Sequence, residues 1–378
     1  MTLHIFNPEH DLALAAIAGE FTAPNNVRSL RADLGFLPAL WAEEGDWVLV
    51  NDIEFAKEKM RHFKKKFSAS HFVDEQRLRR LLNGWDTDAS FSLKDMQIAP
   101  WGWDLALIKE LKRMGVEEQL LPDIDTLMYI RELSGRKFST LSLLPNIRKQ
   151  LQETGFTLVE GESFVVDTME KLVQLNQQYP RLVVKAPWSS SGRGIRYIIN
   201  DIDPSTSGWC KNIIKSQGCI TVEPYYNKVK DFGMEFSVNP SGEICYEGLS
   251  IFKTAKSMYE GSLLASEEYK RAFLAGYVDS QLLDAIQTAI IDTMQPHVAG
   301  RYTGPFGVDM MLVSTAQDAP LSVHPCVELN LRRTMGHVAL TLTPSPLEPK
   351  EVMSITHHQQ YALRFHTLWD DIINNGIV

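Results

Sequence analysis

The chain has 378 residues, 44% of them hydrophobic and 22% charged, which supplies sizeable cores and excludes long disorder. Lysine and arginine total 38 against 47 aspartates and glutamates, and a formal net charge of -9 argues against a general nucleic-acid binder. Two or three domains are expected from the length.

Residues 12–18 are apolar, but Glu9 and Asp11 precede them and the first basic residue is Arg28, so they do not read as a signal peptide. No apolar run approaches the ~20 residues that span a bilayer, so no membrane partner is expected. Cys210, Cys219, Cys245 and Cys326 show no Cys-x-x-Cys spacing and read as reduced thiols of a cytoplasmic protein.

In chain order, residues 3–6 read as a strand ending in the turn Asn7-Pro8, and 46–50 as a second strand. Helical patterns follow at 54–67, 75–82 and 104–114. Lys64, Lys65 and Lys66 read as a solvated face of the first. Pro100 to Asp104, with two tryptophans, reads as core packing or as the wall of an acceptor pocket. Pro122-Asp123 marks a joint. Beyond it, a helix at 141–153, strands at 164–166, 181–185 and 195–199, and helices at 169–177 and 209–216 form a small α+β unit. Strands dominate from Cys219, interrupted by a helix at 280–294, and a helix at 356–374 closes the chain. His357 and His358 are adjacent in that last helix, so they face apart and do not share a metal.

Chemistry concentrates in three places. Lys185 ends a strand and leads into Ala-Pro-Trp-Ser-Ser-Ser-Gly-Arg-Gly194, whose small residues let backbone N–H groups converge on phosphate oxygens. This is not a P-loop, because the β-branched and aromatic run at 195–199 makes the loop join two strands. Glu223 ends a buried strand and Pro224 holds it extended. The Pro224 carbonyl and the Tyr226 N–H offer the acceptor and donor that an adenine edge needs, and Glu235 could accept ribose hydroxyls.

The third place is a hairpin. Residues 306–313 and 323–331 alternate as strands around the turn at 317–320. Pairing Asp309 with Glu328 centres the hairpin inside that turn and sets the two carboxylates face to face. Glu328, Asn330 and Arg332 share one face, and Val327, Leu329 and Leu331 the other. Opposed carboxylates repel unless a cation neutralises them, and three hard oxygen donors (Asp309, Glu328, Asn330) suit Mg²⁺.

Together these features, in this order, resemble the ATP-grasp superfamily over about residues 126–340. The resemblance implies an α/β and α+β architecture: an N-terminal preceding domain (1–125), a lid subdomain (126–218) and a C-terminal subdomain with the metal site (219–378). It implies ATP and magnesium as cofactors, with manganese as an alternative ion. It also implies ligation of a small-molecule carboxylate to an amine through an acylphosphate, and it allows a homodimer. The alternatives are a phosphotransferase and a catalytically silent nucleotide-binding module.

Carried over by position, Lys185 resembles the lysine at the ATP phosphates, and Ser189, Ser190, Ser191, Gly192 and Gly194 the phosphate lid. Glu223, Pro224 and Tyr226 resemble the adenine hinge and Glu235 the ribose carboxylate, with Asp231 as the alternative because the gap from Glu223 is long. Asp309, Glu328 and Asn330 resemble the magnesium ligands. Arg136 and Lys137 both stand where an earlier phosphate-binding residue belongs. Arg332 or Arg333 could clamp the substrate carboxylate or acylphosphate. Lys253 or Lys256 faces the phosphates, and His337 is either a substrate contact or structural.

Overall fold

Short, buried strands open the fold. β1 (Thr2–Ile5) and β2 (Trp47–Leu49) are buried along nearly their whole length, as strands covered on both faces must be. They pair in parallel with β3 (His71–Val73) and β4 (Gln97–Pro100) in the order β3-β2-β1-β4. β3 and β4 escape a sequence reading because three or four half-exposed residues carry no clear alternation. The connecting helices are α1 (His10–Ala15), α2 (Asn25–Leu34), α3 (Ile53–Arg61), α4 (Glu75–Leu82) and α5 (Leu105–Met114). Asp52, Asp74 and Asp104 accept from the N–H groups of Phe55, Arg77 and Leu107 and so fix where three of them begin.

The computed structural model describes residues 1–16, 21–63, 67–68, 70, 71–92, 96–189, 194–255, 258–316, 319–345 and 350–367. The lysine run at 64–66 lies outside the described residues, as do Ser190, Ser191, Gly192, Lys256 and the first half of the turn at 317–320.

α6 (Ile124–Ser134) starts on its Asp123 cap. α7 (Arg136–Phe138), a π-helical stretch at Ser139–Leu143 and α8 (Leu144–Glu153) then form one rod, longer than the helix expected at 141–153. Pro145 offers no N–H to the preceding turn, and the hydrogen-bond register widens there. β5 (Phe164–Val166), β6 (Arg181–Lys185), β7 (Ile195–Ile199) and β8 (Ile220–Pro224) make an antiparallel sheet in the order β5-β8-β6-β7. α9 (Met169–Gln178) and α10 (Pro204–Gln217) bury Leu172 and Cys210 against Leu182, Val184 and Val222. α10 starts five residues before the expected 209, because Pro204 suits a first helical position and Asp203 caps it.

The third sheet is antiparallel and has seven strands: β9 (Asn227–Val238), β10 (Ile244–Ala255), β11 (Met258–Leu264), β12 (Gly304–Ser314), β13 (Ser322–Asn330), β14 (Glu351–His357) and β15 (Tyr361–His366). Its order is β13-β12-β9-β10-β11-β14-β15. α12 (Ser280–Val298) lays Leu283, Ile286 and Ile290 on Phe232, Phe236 and Phe306, while α11 (Glu267–Ala275) and α13 (Met335–Thr341) complete the covering.

One expectation is overturned. No helix runs from 356: β14 and β15 form a hairpin instead, and residues 368–378 lie outside the described residues. Ile355, Thr356, Tyr361 and Phe365 are strand formers, and tertiary partners hold them: the Tyr361 N–H donates to Asp33 at 2.8 Å and Phe365 packs on Phe63. His357 therefore ends a strand, with its ring 4.4 Å from that of Tyr361. Among the described residues no helix is long and apolar enough to cross a membrane.

Asp104 joins helix capping to the end of β1. It is buried, caps α5 through the Leu107 N–H at 2.9 Å and accepts from the Asn7 amide at 3.1 Å. Asp104→Ala removes the cap and strands a buried donor, so it should cost about 2–4 kcal/mol in urea unfolding. A loss below about 1 kcal/mol would show that the network is dispensable.

Candidate active site

A cavity of about 320 Å³ lies between the β6–β8 sheet and the face of the seven-stranded sheet that carries β9, β12 and β13. The hairpin register places the carboxylates. Asp309 pairs with Glu328 and Gly307 with Asn330, while on the other side Asp309 pairs with Gly233 and Gly307 with Glu235. The row Gly233–Asp309–Glu328 thus lies beside the row Glu235–Gly307–Asn330. Between Asp309 and Met311, which pairs with His324, the register shifts, because β13 accommodates two extra residues around Pro325, which has no N–H for the ladder. Leu329 and Leu331 join the core as the alternation requires, but Val327 lines the cavity.

Burial, with the Glu328 charge opposite, pushes the Asp309 carboxyl up to about 8. The Asn330 amide donates to Asp309 at 3.0 Å, and the Asn330 carbonyl accepts from Arg332 at 3.0 Å. Among the described residues no group of three or more His, Cys, Asp and Glu forms a metal cluster, so the Asn330 carbonyl is needed as a third donor. Two opposed carboxylates, one holding its proton for want of charge compensation, are a donor set that a divalent cation fits.

Lys185 and Glu223 meet because β6 and β8 are neighbours. The Lys185 ammonium donates to both Glu223 oxygens, at 2.8 and 2.7 Å, and the pair is buried. Of the two early basic residues, Arg136 lines the cavity and Lys137 is exposed. Arg136 donates to the Ala186 carbonyl at 2.6 Å, to Ser189 at 2.9 Å and to Glu328 at 2.6 Å. Pro224 and Tyr226 line the same cavity, and the Tyr226 hydroxyl accepts from the Glu162 N–H at 2.8 Å. Gly194 closes the base of the loop by accepting from the Ala186 N–H, and a side chain there would collide with Ser189.

Glu235 also lines the cavity and is buried. Its oxygens accept from Ser250 at 2.7 Å and Thr334 at 2.8 Å, and burial pushes its carboxyl up to about 7. Side chains at Gly307 or Gly336 would collide with it. Asp231 lines the cavity four residues nearer the hinge, about 13 Å along the strand, and accepts from Lys228 and Thr254. Arg333 is not in the cavity lining and lies over the Trp41 ring at 4.4 Å. Lys253 pairs with Glu260 at 3.2 Å. His337 is buried, caps α13 with Thr334 and faces the Phe236 carbonyl, so its surroundings are structural. Trp101 is buried in a core, whereas Trp103 is partly buried against two others.

The residue that sequence reasoning missed is Asp11. It reaches the cavity from α1 and receives Arg332 Nε at 3.0 Å and Nη2 at 2.7 Å. Its signal was a polar turn at the carboxyl end of a parallel strand, Asn7 to Asp11, where α/β sheets gather ligands.

Lys185 and Ser189 of the four-stranded antiparallel unit thus share a cavity with a carboxylate pair of the seven-stranded sheet. No family model matches the chain, and no curated protein does. Similar solved structures include the biotin carboxylase domain dimer of Hydrogenobacter thermophilus 2-oxoglutarate carboxylase, complexed with MgADP, ADP and bicarbonate. It is 14% identical over 94% of this chain and 74% of that one, with a TM-score of 0.49. Biotin carboxylase from Campylobacter jejuni is 12% identical over 94% and 75%, with a TM-score of 0.49. N5-carboxyaminoimidazole synthetase from Staphylococcus aureus, complexed with ADP, is 14% identical over 94% and 82%, with a TM-score of 0.45. Likeness at this level identifies neither substrate nor reaction.

The raised Asp309 carboxyl gives a pH prediction. It keeps its proton up to about 8 when folded but releases it near 3.8 when unfolded, so it favours the native state at low pH. That contribution fades as pH rises through this window. Asp309→Asn should therefore melt higher than the natural chain at about pH 9, and the gain should shrink towards about pH 5. An equal difference at both values would contradict the raised carboxyl.

Proposed function

We propose that the chain is an ATP-dependent ligase that joins a carboxylate to an amine through an acylphosphate, with its nucleotide between the two antiparallel sheets. The observation that carries this reading is the convergence of Lys185 and Arg136 on the Asp309–Glu328 pair, although the four residues come from three separate parts of the fold. The three-unit division at about residues 125 and 218 belongs to the same proposal, since the middle unit supplies the lid and hinge.

Adenine would meet the Pro224 carbonyl and the Tyr226 N–H. Ribose lies between adenine and the phosphates, so its carboxylate is Asp231, on the hinge side of the Asp309 row, rather than Glu235 on the far side. Lys185, Arg136 and the loop from Ser189 to Gly194 would hold the phosphates. Asp309, Glu328 and the Asn330 carbonyl would hold a magnesium ion, which would neutralise charge on the β- and γ-phosphates.

A substrate carboxylate oxygen attacks the γ-phosphorus. The bond to the bridging oxygen breaks and ADP departs with the electron pair. The amine nitrogen then attacks the acyl carbon, loses its proton to solvent, and inorganic phosphate leaves. Lys185 and Arg136 stabilise the charge as it moves onto ADP, and Arg332 orients the carboxylate. No protein nucleophile is required.

Lys185→Ala removes a charge-assisted phosphate contact of roughly 1.5–3 kcal/mol, so Mg·ATP affinity should fall by about 10- to 150-fold in calorimetry. Unchanged affinity would overturn the lysine's role. Glu328→Gln should abolish ADP release while the nucleotide still binds. The apo variant should not gain stability, because Glu328 also compensates Arg136.

A further inference from the structure

Beyond the Asp309 row, at the end of the cavity away from the hinge, Asp11 and Arg332 neutralise one another. Arg332 gives Nε and Nη2 to the Asp11 carboxylate, Nη2 also to Asn330, and Nη1 to the Arg333 carbonyl at 3.1 Å. The pair is about one-fifth exposed, with side-chain exposures of 17% for Arg332 and 25% for Asp11. From Asp11 through Arg332 and Asn330 to Asp309 runs an unbroken series of hydrogen bonds, so this end adjoins the place where a γ-phosphate would lie.

Asp11 is held from two sides. The turn before α1 is fixed by the Asn7 amide on the Gly102 carbonyl at 2.8 Å and on Asp104, and the Leu14 carbonyl at the other end accepts from Arg131 at 2.7 Å. The helix that carries Asp11 is therefore fixed beside Arg332. A substrate bringing only a carboxylate to Arg332 would leave Asp11 half buried without its cation. A substrate bringing both charges exchanges partners and leaves neither unpaired.

We infer that this end of the site takes an α-amino acid as its zwitterion, the ammonium on Asp11 and the carboxylate on Arg332. This rests on the ligase reading and narrows its substrate class. Asp11 thereby becomes a specificity-determining residue supplied by the N-terminal unit.

The test measures Mg·ATP-dependent ADP release by the full chain with each of the common α-amino acids, and with the α-hydroxy and N-acetyl analogues of each, hydroxylamine being present throughout as the amine that consumes the acylphosphate. At least one amino acid should support turnover, with kcat/KM at least about tenfold above both of its analogues. Asp11→Asn should bring that ratio close to one by raising KM for the amino acid, and Asp11→Glu should restore part of it. Turnover of a hydroxy acid or simple carboxylate as good as that of any amino acid overturns the inference and leaves the ligase reading standing. So does turnover with no amino acid at all. Failure to bind Mg·ATP in calorimetry removes the ligase reading itself. The comparison of substrates on the natural chain decides the matter even if the Asp11 variants do not fold.

Discussion

Arg136 is the point at which three parts of the chain become one site. It stands at the start of the rod that runs from Arg136 to Glu153, and its guanidinium reaches the base of the Ser/Gly loop and Glu328 of the seven-stranded sheet together. Its backbone N–H also donates to the Pro187 carbonyl at 3.1 Å. The same loop is anchored a turn away, where Trp188 donates to the Arg131 carbonyl and the Arg131 guanidinium lies 3.6 Å from its ring centroid. The planar fork makes this possible: a lysine could supply the charge but not hold three acceptors in fixed directions. The Arg136 guanidinium thus ties the base of the loop to the carboxylate row.

Among the described residues four cations line the cavity, and each is matched by a carboxylate: Arg136 by Glu328, Lys185 by Glu223, Lys228 by Asp231, and Arg332 by Asp11. Desolvated charges of this kind contribute little net stability, but an unpaired one is costly. The cavity is therefore set up for exchange. An incoming polyanion with its cation can take over Arg136 and Lys185 while the carboxylates acquire the metal. Asp309 stands outside this matching, and its carboxyl is the one pushed furthest up among the carboxylates of the site.

The hairpin was legible in the sequence because two alternating strands joined by a short turn leave few registers, and only one sets Asp309 opposite Glu328. Even there the bulge at Pro325 was hidden, since a turn midpoint assumes an unbroken ladder. Lys185 and Glu223 could be read from strand ends, but their contact with one another needed the order β5-β8-β6-β7, which no local pattern encodes. Asp11 was missed for a related reason. Its partner is 321 residues away, and the apolar run after it drew attention to targeting instead. The closing segment reads as a helix because its two strands alternate weakly, and β15, at the edge of the sheet, is held by α2 and by Phe63.

That closing hairpin matters for how the chain comes into being. One of the cores places Phe6, Leu34, Phe36 and Leu37 from the beginning of the chain against Leu264, Val338 and Met353, with Leu363 packed alongside. During synthesis the first unit leaves the ribosome with those side chains uncovered. They remain so until the strands and helix that carry Leu264, Val338 and Met353 have followed. A nascent chain of this protein thus keeps an unfinished core exposed to aggregation while the more than 200 residues between Leu37 and Leu264 are made.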